Sequence, residues 1–144
     1  MKYFLDTEFN GMGGDLISLA LVADNGRELY LAKPCQNPIP WVADNVMPVV
    51  HCVGASPIMD NPDLMGHAIA MFLQGDPAPS IWVDWPDDIV YFCKALIVGP
   101  GTMVNIPSLT FEMRRVDSYP TDLPGAIQHN ALWDARALRR KIIG

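Results

Sequence analysis

Lys2-Tyr3-Phe4-Leu5-Asp6-Thr7-Glu8-Phe9, then Asp15-Leu16-Ile17-Ser18-Leu19-Ala20-Leu21-Val22-Ala23-Asp24, then Asn25-Gly26 and Arg27 to Ala32 form the run that decides the fold. The first segment sets Tyr3 and Leu5 against polar neighbours, the period-two pattern of a strand. Gly11, Gly13 and Gly14 make a turn. The second segment is nearly all apolar, as expected of a strand buried on both faces. Asn25-Gly26 is a two-residue hairpin signal. Arg27 to Ala32 alternates again and returns as a third strand. The chain therefore opens with an antiparallel three-stranded meander.

Beyond it, Pro38, Pro40, Pro48 and Pro57 cut the chain into short pieces, with a short helix around Trp41 to Val46. Asn61-Pro62-Asp63 is a helix start, a capping Asn followed by Pro at the first helical position. That helix runs to about Leu73, with Leu64, Ala68, Met71 and Phe72 as its inner face. Ser80 to Trp85 reads as a fourth strand. Pro86 opens a helix over Asp87 to Ile97, which Gly99-Pro100-Gly101 closes. Ser108 to Val116 is a fifth strand and Tyr119 to Gly125 a loop. A last helix spans Ala131 to Ile142, with Leu132, Leu138 and Ile142 apolar and its arginines outward. A meander followed by alternating helices and strands predicts an α/β fold, a mixed sheet with helices on its faces.

The 144 residues fit one domain, 1–144. Half are hydrophobic and 18% are charged, a balance that favours a packed core over disorder. The longest apolar run, Leu16 to Ala23, is far below the ~20 residues of a membrane span. Asp6 and Glu8 follow the start too closely for a signal peptide. Cys35, Cys52 and Cys93 show no C-x-x-C pairing, so free thiols in a reducing cytoplasm are expected. A net charge of −6 argues against nucleic-acid binding unless some acids hold metal. The cations cluster as Arg114-Arg115 and as Arg136, Arg139, Arg140 and Lys141, a local basic rim.

Asp6 and Glu8 are two apart on the first strand, so both side chains face the same way. Two oxygen donors aimed at one point suit a hard cation such as Mg²⁺ or Mn²⁺. Without a cation, two carboxylates ~4 Å apart repel by roughly 4 kcal/mol at an effective dielectric near 20. At the other end, His129-Asn130-Ala131-Leu132-Trp133-Asp134 places His129 just before the last helix and Asp134 in its first turns. Asp134 can face the sheet there while His129 caps the pocket. His67, four after Asp63, reads as half of a surface pair. The tryptophans Trp41, Trp82, Trp85 and Trp133 read as core or rim packing.

Asp6-Thr7-Glu8-Phe9-Asn10-Gly11 together with His129-x-Ala131-x-x-Asp134 resembles the DEDDh 3′-5′ exonucleases, the family of oligoribonuclease and the proofreading exonucleases. The phrase Tyr3 to Phe9 and the short chain are most similar to a small exoribonuclease subgroup known from mycobacteria. The resemblance spans nearly the whole chain and implies an RNase H-like fold. It implies metal-dependent hydrolysis at single-stranded RNA 3′ ends, with DNA as the other substrate, releasing nucleoside 5′-monophosphates. It further implies two divalent ions, Mg²⁺ or Mn²⁺, held by four carboxylates, with His129 as general base. Three are Asp6, Glu8 and Asp134. For the fourth, Asp88 shares a helix face with Phe92, Ala95 and Leu96, the side that packs on the sheet. Asp87 shares its face with Tyr91 and Lys94, which reads as solvent-facing. Asp88 is therefore chosen, with Asp84 in reserve. Met12 stands where relatives wedge an apolar residue against terminal bases. Phe9 replaces the family's small hydroxyl residue, in contact with the substrate sugar. Relatives also suggest a homodimer. Other readings of the same residues are a nucleotide- or nucleic-acid-binding protein without turnover and an RNase H-like endonuclease.

Overall fold

The computed structural model describes residues 1–53, 61–117 and 122–144. Pro57 and positions 119–121 of the expected loop lie outside the described residues. The meander forms as expected: β1 is Lys2–Phe9, β2 Leu16–Ala23 and β3 Glu28–Ala32. β1 pairs antiparallel with β2, and β2 with β3. Every residue of β2 is buried, which explains its unbroken apolar run. The β2–β3 turn takes three residues rather than two. Gly26 N–H bonds Ala23 O at 3.0 Å and Ala23 N–H bonds Arg27 O at 2.8 Å, so Gly26 with φ +92° is the left-handed residue that closes a bulged hairpin.

The helices are α1 (Pro40–Asn45), α2 (Pro62–Leu73), α3 (Pro86–Ala95) and α4 (Ala131–Ile143), with a 3₁₀ turn at Met47–Val49. β4, Ser80–Val83, runs parallel to β1. The expected fifth strand shortens to Thr110–Met113. Ahead of it lies a hairpin that the sequence pattern does not announce: β5 (Ile97–Gly99) and β6 (Thr102–Met103), turning on Gly99-Pro100-Gly101. The Thr110–Met113 strand is thus β7, parallel to β4, and the main sheet has the order β3-β2-β1-β4-β7. This is RNase H-like topology.

Tyr3, Leu5, Ile81 and Val83 pack with Met65, Ile69 and Leu73 of α2, with Phe92 of α3 and with Leu96 just after it. On the opposite face, Ala20 and Val22 meet Ala131, Leu132 and Ala135, and Phe4 and Trp82 meet Leu138, all from α4. Helices therefore cover both faces. The inner face of α2 differs from expectation. Leu64 and Met71 are exposed, at 49% and 75%, whereas Ala68 and Phe72 flank the core. The reason is Gly66: a Cβ there would stand 2.6 Å from Ala95 O, so the helix is rotated to bring its bare backbone onto α3. Tyr91, expected outside, is buried, and its hydroxyl donates to Gly14 O. The arginines of α4 are only partly outward. Arg136 grips Glu28 through two bonds of 2.7 Å, and Arg139 Nη2 donates to Asp24 O at 2.8 Å.

Candidate active site

β1 outruns its neighbour. Its pairing with β4 ends at Phe4 opposite Trp82, so the residues from Leu5 onward border an opening at the carboxyl end of the sheet. In open α/β sheets such an opening is where ligands bind. Asp6 and Glu8 point to the α4 side of it. Asp88 arrives from the other side, at the start of α3, and is 2% exposed. Its Oδ1 accepts from Thr7 Oγ1 at 2.6 Å and from Thr7 N–H at 3.1 Å. Thr7 thereby aims Asp88 with one oxygen, leaving the other for the centre. Asp134 enters from the first turn of α4. The cap of that helix is Asn130, whose Oδ1 accepts from Leu132 and Trp133 N–H. Asn130 Nδ2 also donates to Val49 O at 2.9 Å, tying the 3₁₀ turn to the helix start.

Two triplets of carboxylates result. Asp6, Glu8 and Asp134 offer oxygens within 4.8 Å of one another, and so do Asp6, Asp84 and Asp88. Asp6 belongs to both. Asp84 and Asp88 do not compete for one role, as the sequence left open; the strand-to-helix connection brings both in. Three buried oxygens, Asp6 Oδ2, Asp88 Oδ2 and Asp134 Oδ1, have no hydrogen-bond partner among the described residues. Buried acceptors left without donors are costly, and an all-oxygen set is what Mg²⁺ or Mn²⁺ takes. The residues fit divalent cations.

The electrostatics agree. Burial, then the charges of Asp88, Asp134, Glu8 and Asp84, push Asp6 well above the carboxylate range. Burial, and then Asp134, raise Glu8 to about 9. Asp88 and Asp134 rise to about 7, burial being the main cause for each; the bonds from Thr7 pull Asp88 back, and the charge of Asp84 adds to both. Four acids that resist ionising together form a site whose charge a cation would satisfy.

His129 belongs to neither triplet. Its ring stands edge-on to Trp41 at 5.0 Å, and burial holds its pKa below the usual 6.5. It adopts φ +65°, a left-handed conformation uncommon for a residue with a Cβ. Beside Glu8 lies a mostly apolar cavity of about 400 Å³, bordered by Phe9, Met12, Ile39, Trp41 and Trp85. Met12 is fully exposed. Phe9 stacks on Tyr91 at 4.5 Å. Asn10 holds the lining residue Ile39 in place: its Nδ2 donates to Asn37 O and its Oδ1 accepts from Ile39 N–H, both at 2.8 Å. Sequence reasoning missed Trp41 and Trp85 as lining residues, having read them as packing. Only their half-exposure, 53% and 49%, separates them from Trp82, which is in the core. His67 is exposed and joins neither triplet.

Fold and centre together define an RNase H-like protein with an acidic centre of the DEDD nuclease kind. Two proteins of Mycobacterium tuberculosis carry the comparison further. The 3′-5′ exoribonucleases MT2234.1 (strain CDC 1551) and Rv2179c (strain H37Rv) are each 31% identical to this chain over 161 aligned positions, covering 98% of it and 90% of the relative. The chain belongs to this 3′-5′ exoribonuclease family, a family of hydrolases. No protein-family model matches the sequence.

Proposed function

We propose that this chain is itself a 3′-5′ exoribonuclease, a single domain acting on single-stranded RNA ends and releasing nucleoside 5′-monophosphates. The observation that carries the reading is the pair of carboxylate triplets sharing Asp6. Family membership supports RNA as the substrate. Asp6, Glu8 and Asp134 would hold one divalent ion, and Asp6, Asp84 and Asp88 a second. Bound there, such ions acidify water and neutralise charge building on phosphate. Asp6, common to both triplets, would be the carboxylate that both ions share. Thr7 keeps Asp88 from turning away. His129, held below its usual pKa and so neutral at pH 7, accepts the proton of the attacking water on an imidazole nitrogen. The apolar cavity of Met12, Trp41 and Trp85 takes the terminal bases, and apolar stacking of this kind suits any sequence. Among the described residues no helix is long and apolar enough to cross a membrane. The free cysteines favour a cytoplasmic setting.

The test is a time course on 5′-labelled single-stranded RNA and matching DNA with Mn²⁺ or Mg²⁺, beside Asp6→Ala and an EDTA control. The expected result is a metal-dependent ladder shortening from the RNA 3′ end, absent in the variant. A folded, metal-loaded protein that cuts neither strand would return the assignment to a binding role.

A further inference from the structure

We infer a second nucleic-acid contact: the arginine-lined cavity between α4 and the β2–β3 turn holds phosphodiesters of the substrate strand upstream of its 3′ end. The inference rests on the exoribonuclease reading above. The carboxylate centre is ringed by acids, and the chain carries −6 overall. A polyanion seated there must find its cations elsewhere. Arg136, Arg139, Arg140 and Lys141 supply four of the chain's ten Lys and Arg. The three arginines open on one cavity of about 360 Å³, which Trp133, Gly26 and Glu28 also line.

The placement gives the cavity a direction. Trp133, Arg136 and Arg140 are spaced i, i+3, i+7 and share one face of α4. That stripe is about 10 Å long. It begins at the residue next to Asp134, on the flank of the carboxylate centre, and runs away from it. A strand with its 3′ end in the centre can leave along this face. The upper end is ordered: the Arg136 guanidinium lies 4.5 Å over the Trp133 ring and is doubly bonded to Glu28. The lower end has its open donor in Arg140. Arg139 is held in place by its Nη2 bond to Asp24 O at 2.8 Å, and its Nε is buried. Arg140 is exposed, and its side chain is in no ion pair among the described residues. Forked guanidinium donors match phosphate oxygens, and a positive groove with an aromatic side chain is how single strands are held without regard to sequence.

The test is the binding of a 5′-fluorescein-labelled RNA of about 12 nucleotides, long enough to reach past the centre. Fluorescence anisotropy is read in EDTA, so that the strand is not cut. Arg140→Glu is expected to weaken binding about tenfold and to reduce the salt slope of log K by roughly 0.7 for each phosphate no longer neutralised. Lys141→Ala removes a cation from the same helical turn. Lys141 lies outside the cavity and pairs with Asp122 at 3.9 Å, so this variant should change binding by less than about twofold. Arg139→Ala also loses the bond to Asp24 and is read only with circular dichroism showing a native fold; Arg140→Glu carries the test without that complication. Equal weakening by Lys141→Ala, no weakening by Arg140→Glu, or no binding by the unaltered protein overturns the inference. Binding is read without metal or turnover, so the two readings fail separately. A protein that binds as expected and cuts no RNA refutes the exoribonuclease alone. One that cuts RNA while Arg140→Glu binds normally refutes the cavity alone.

Discussion

Thr7 shows how much of the centre depends on a residue that carries no charge. Both of its polar hydrogens go to Asp88 Oδ1, fixing which carboxylate oxygen faces Asp6. Thr7→Val keeps the shape and the backbone bond and removes the 2.6 Å hydroxyl bond. We expect a folded protein that binds Mn²⁺ about 10- to 100-fold more weakly, the usual loss when a residue behind a metal ligand is removed, as read by calorimetric titration. His129 and Asp6 should differ in kind. On the proposed roles, a general base contributes about 10²–10⁴ in rate, so His129→Ala is expected to leave measurable turnover, whereas Asp6→Ala, losing the carboxylate common to both triplets, leaves almost none. Equal and mild losses in single-turnover assays would sink both roles. The lowered pKa of His129 also sets a sign: activity should fall on the acid side as pH drops through a value below 6.5.

At the scale of elements, α2 illustrates how a backbone contact can outvote a side-chain pattern. Gly66 lies against Ala95 O, with Val104 and Val98 side chains close by. An alanine there gains up to about 1 kcal/mol of helix propensity, but it forces α2 off α3, an overpacking worth about 1–3 kcal/mol. Gly66→Ala is therefore expected to lower stability in urea unfolding; a gain would show that the two helices are not clamped at this point. The same clamp turned Met65, Ile69 and Leu73 inward, a stripe with the same spacing as the one expected from the sequence.

For the whole molecule, the buried acids tie stability to pH and to metal. Asp88 and Asp134 titrate near 7 and Glu8 near 9, against unfolded values of 3.8 and 4.5. The metal-free fold thus binds more protons than the unfolded chain. Its stabilisation is complete below the unfolded values and is lost as pH rises through 7 and then 9. The expected outcome is a metal-free melting temperature that falls between about pH 5 and pH 9. Mn²⁺ should raise it more at the alkaline end, where the ligands are ionised. Asp6→Asn should stabilise the metal-free protein at pH 8 and erase most of the metal's effect. A pH-independent melting temperature across that range would mean that the carboxylates are not held together as described.

The sequence by itself determined the meander, the mixed sheet and the two ends of the centre, because each is written in local spacing. Period two puts Asp6 beside Glu8, unbroken apolarity marks β2 as covered, and the run His129 to Asp134 puts His129 just before the last helix and Asp134 in its first turns. It favoured Asp88 as the inward acid of α3, since Phe92 and Leu96 share its face, and Asp88 is buried. It could not reveal that Asp84 joins Asp88, that Thr7 aims Asp88, that Trp41 and Trp85 stand at the mouth while Trp82 is in the core, or which face of α2 is inside. Nor did it foresee the β5–β6 hairpin. These depend on how far one element stops short of another: β4 ends while β1 continues, and α2 approaches α3 as closely as a missing Cβ permits. Such distances arise from packing between segments remote in the chain, and only the tertiary structure decided them.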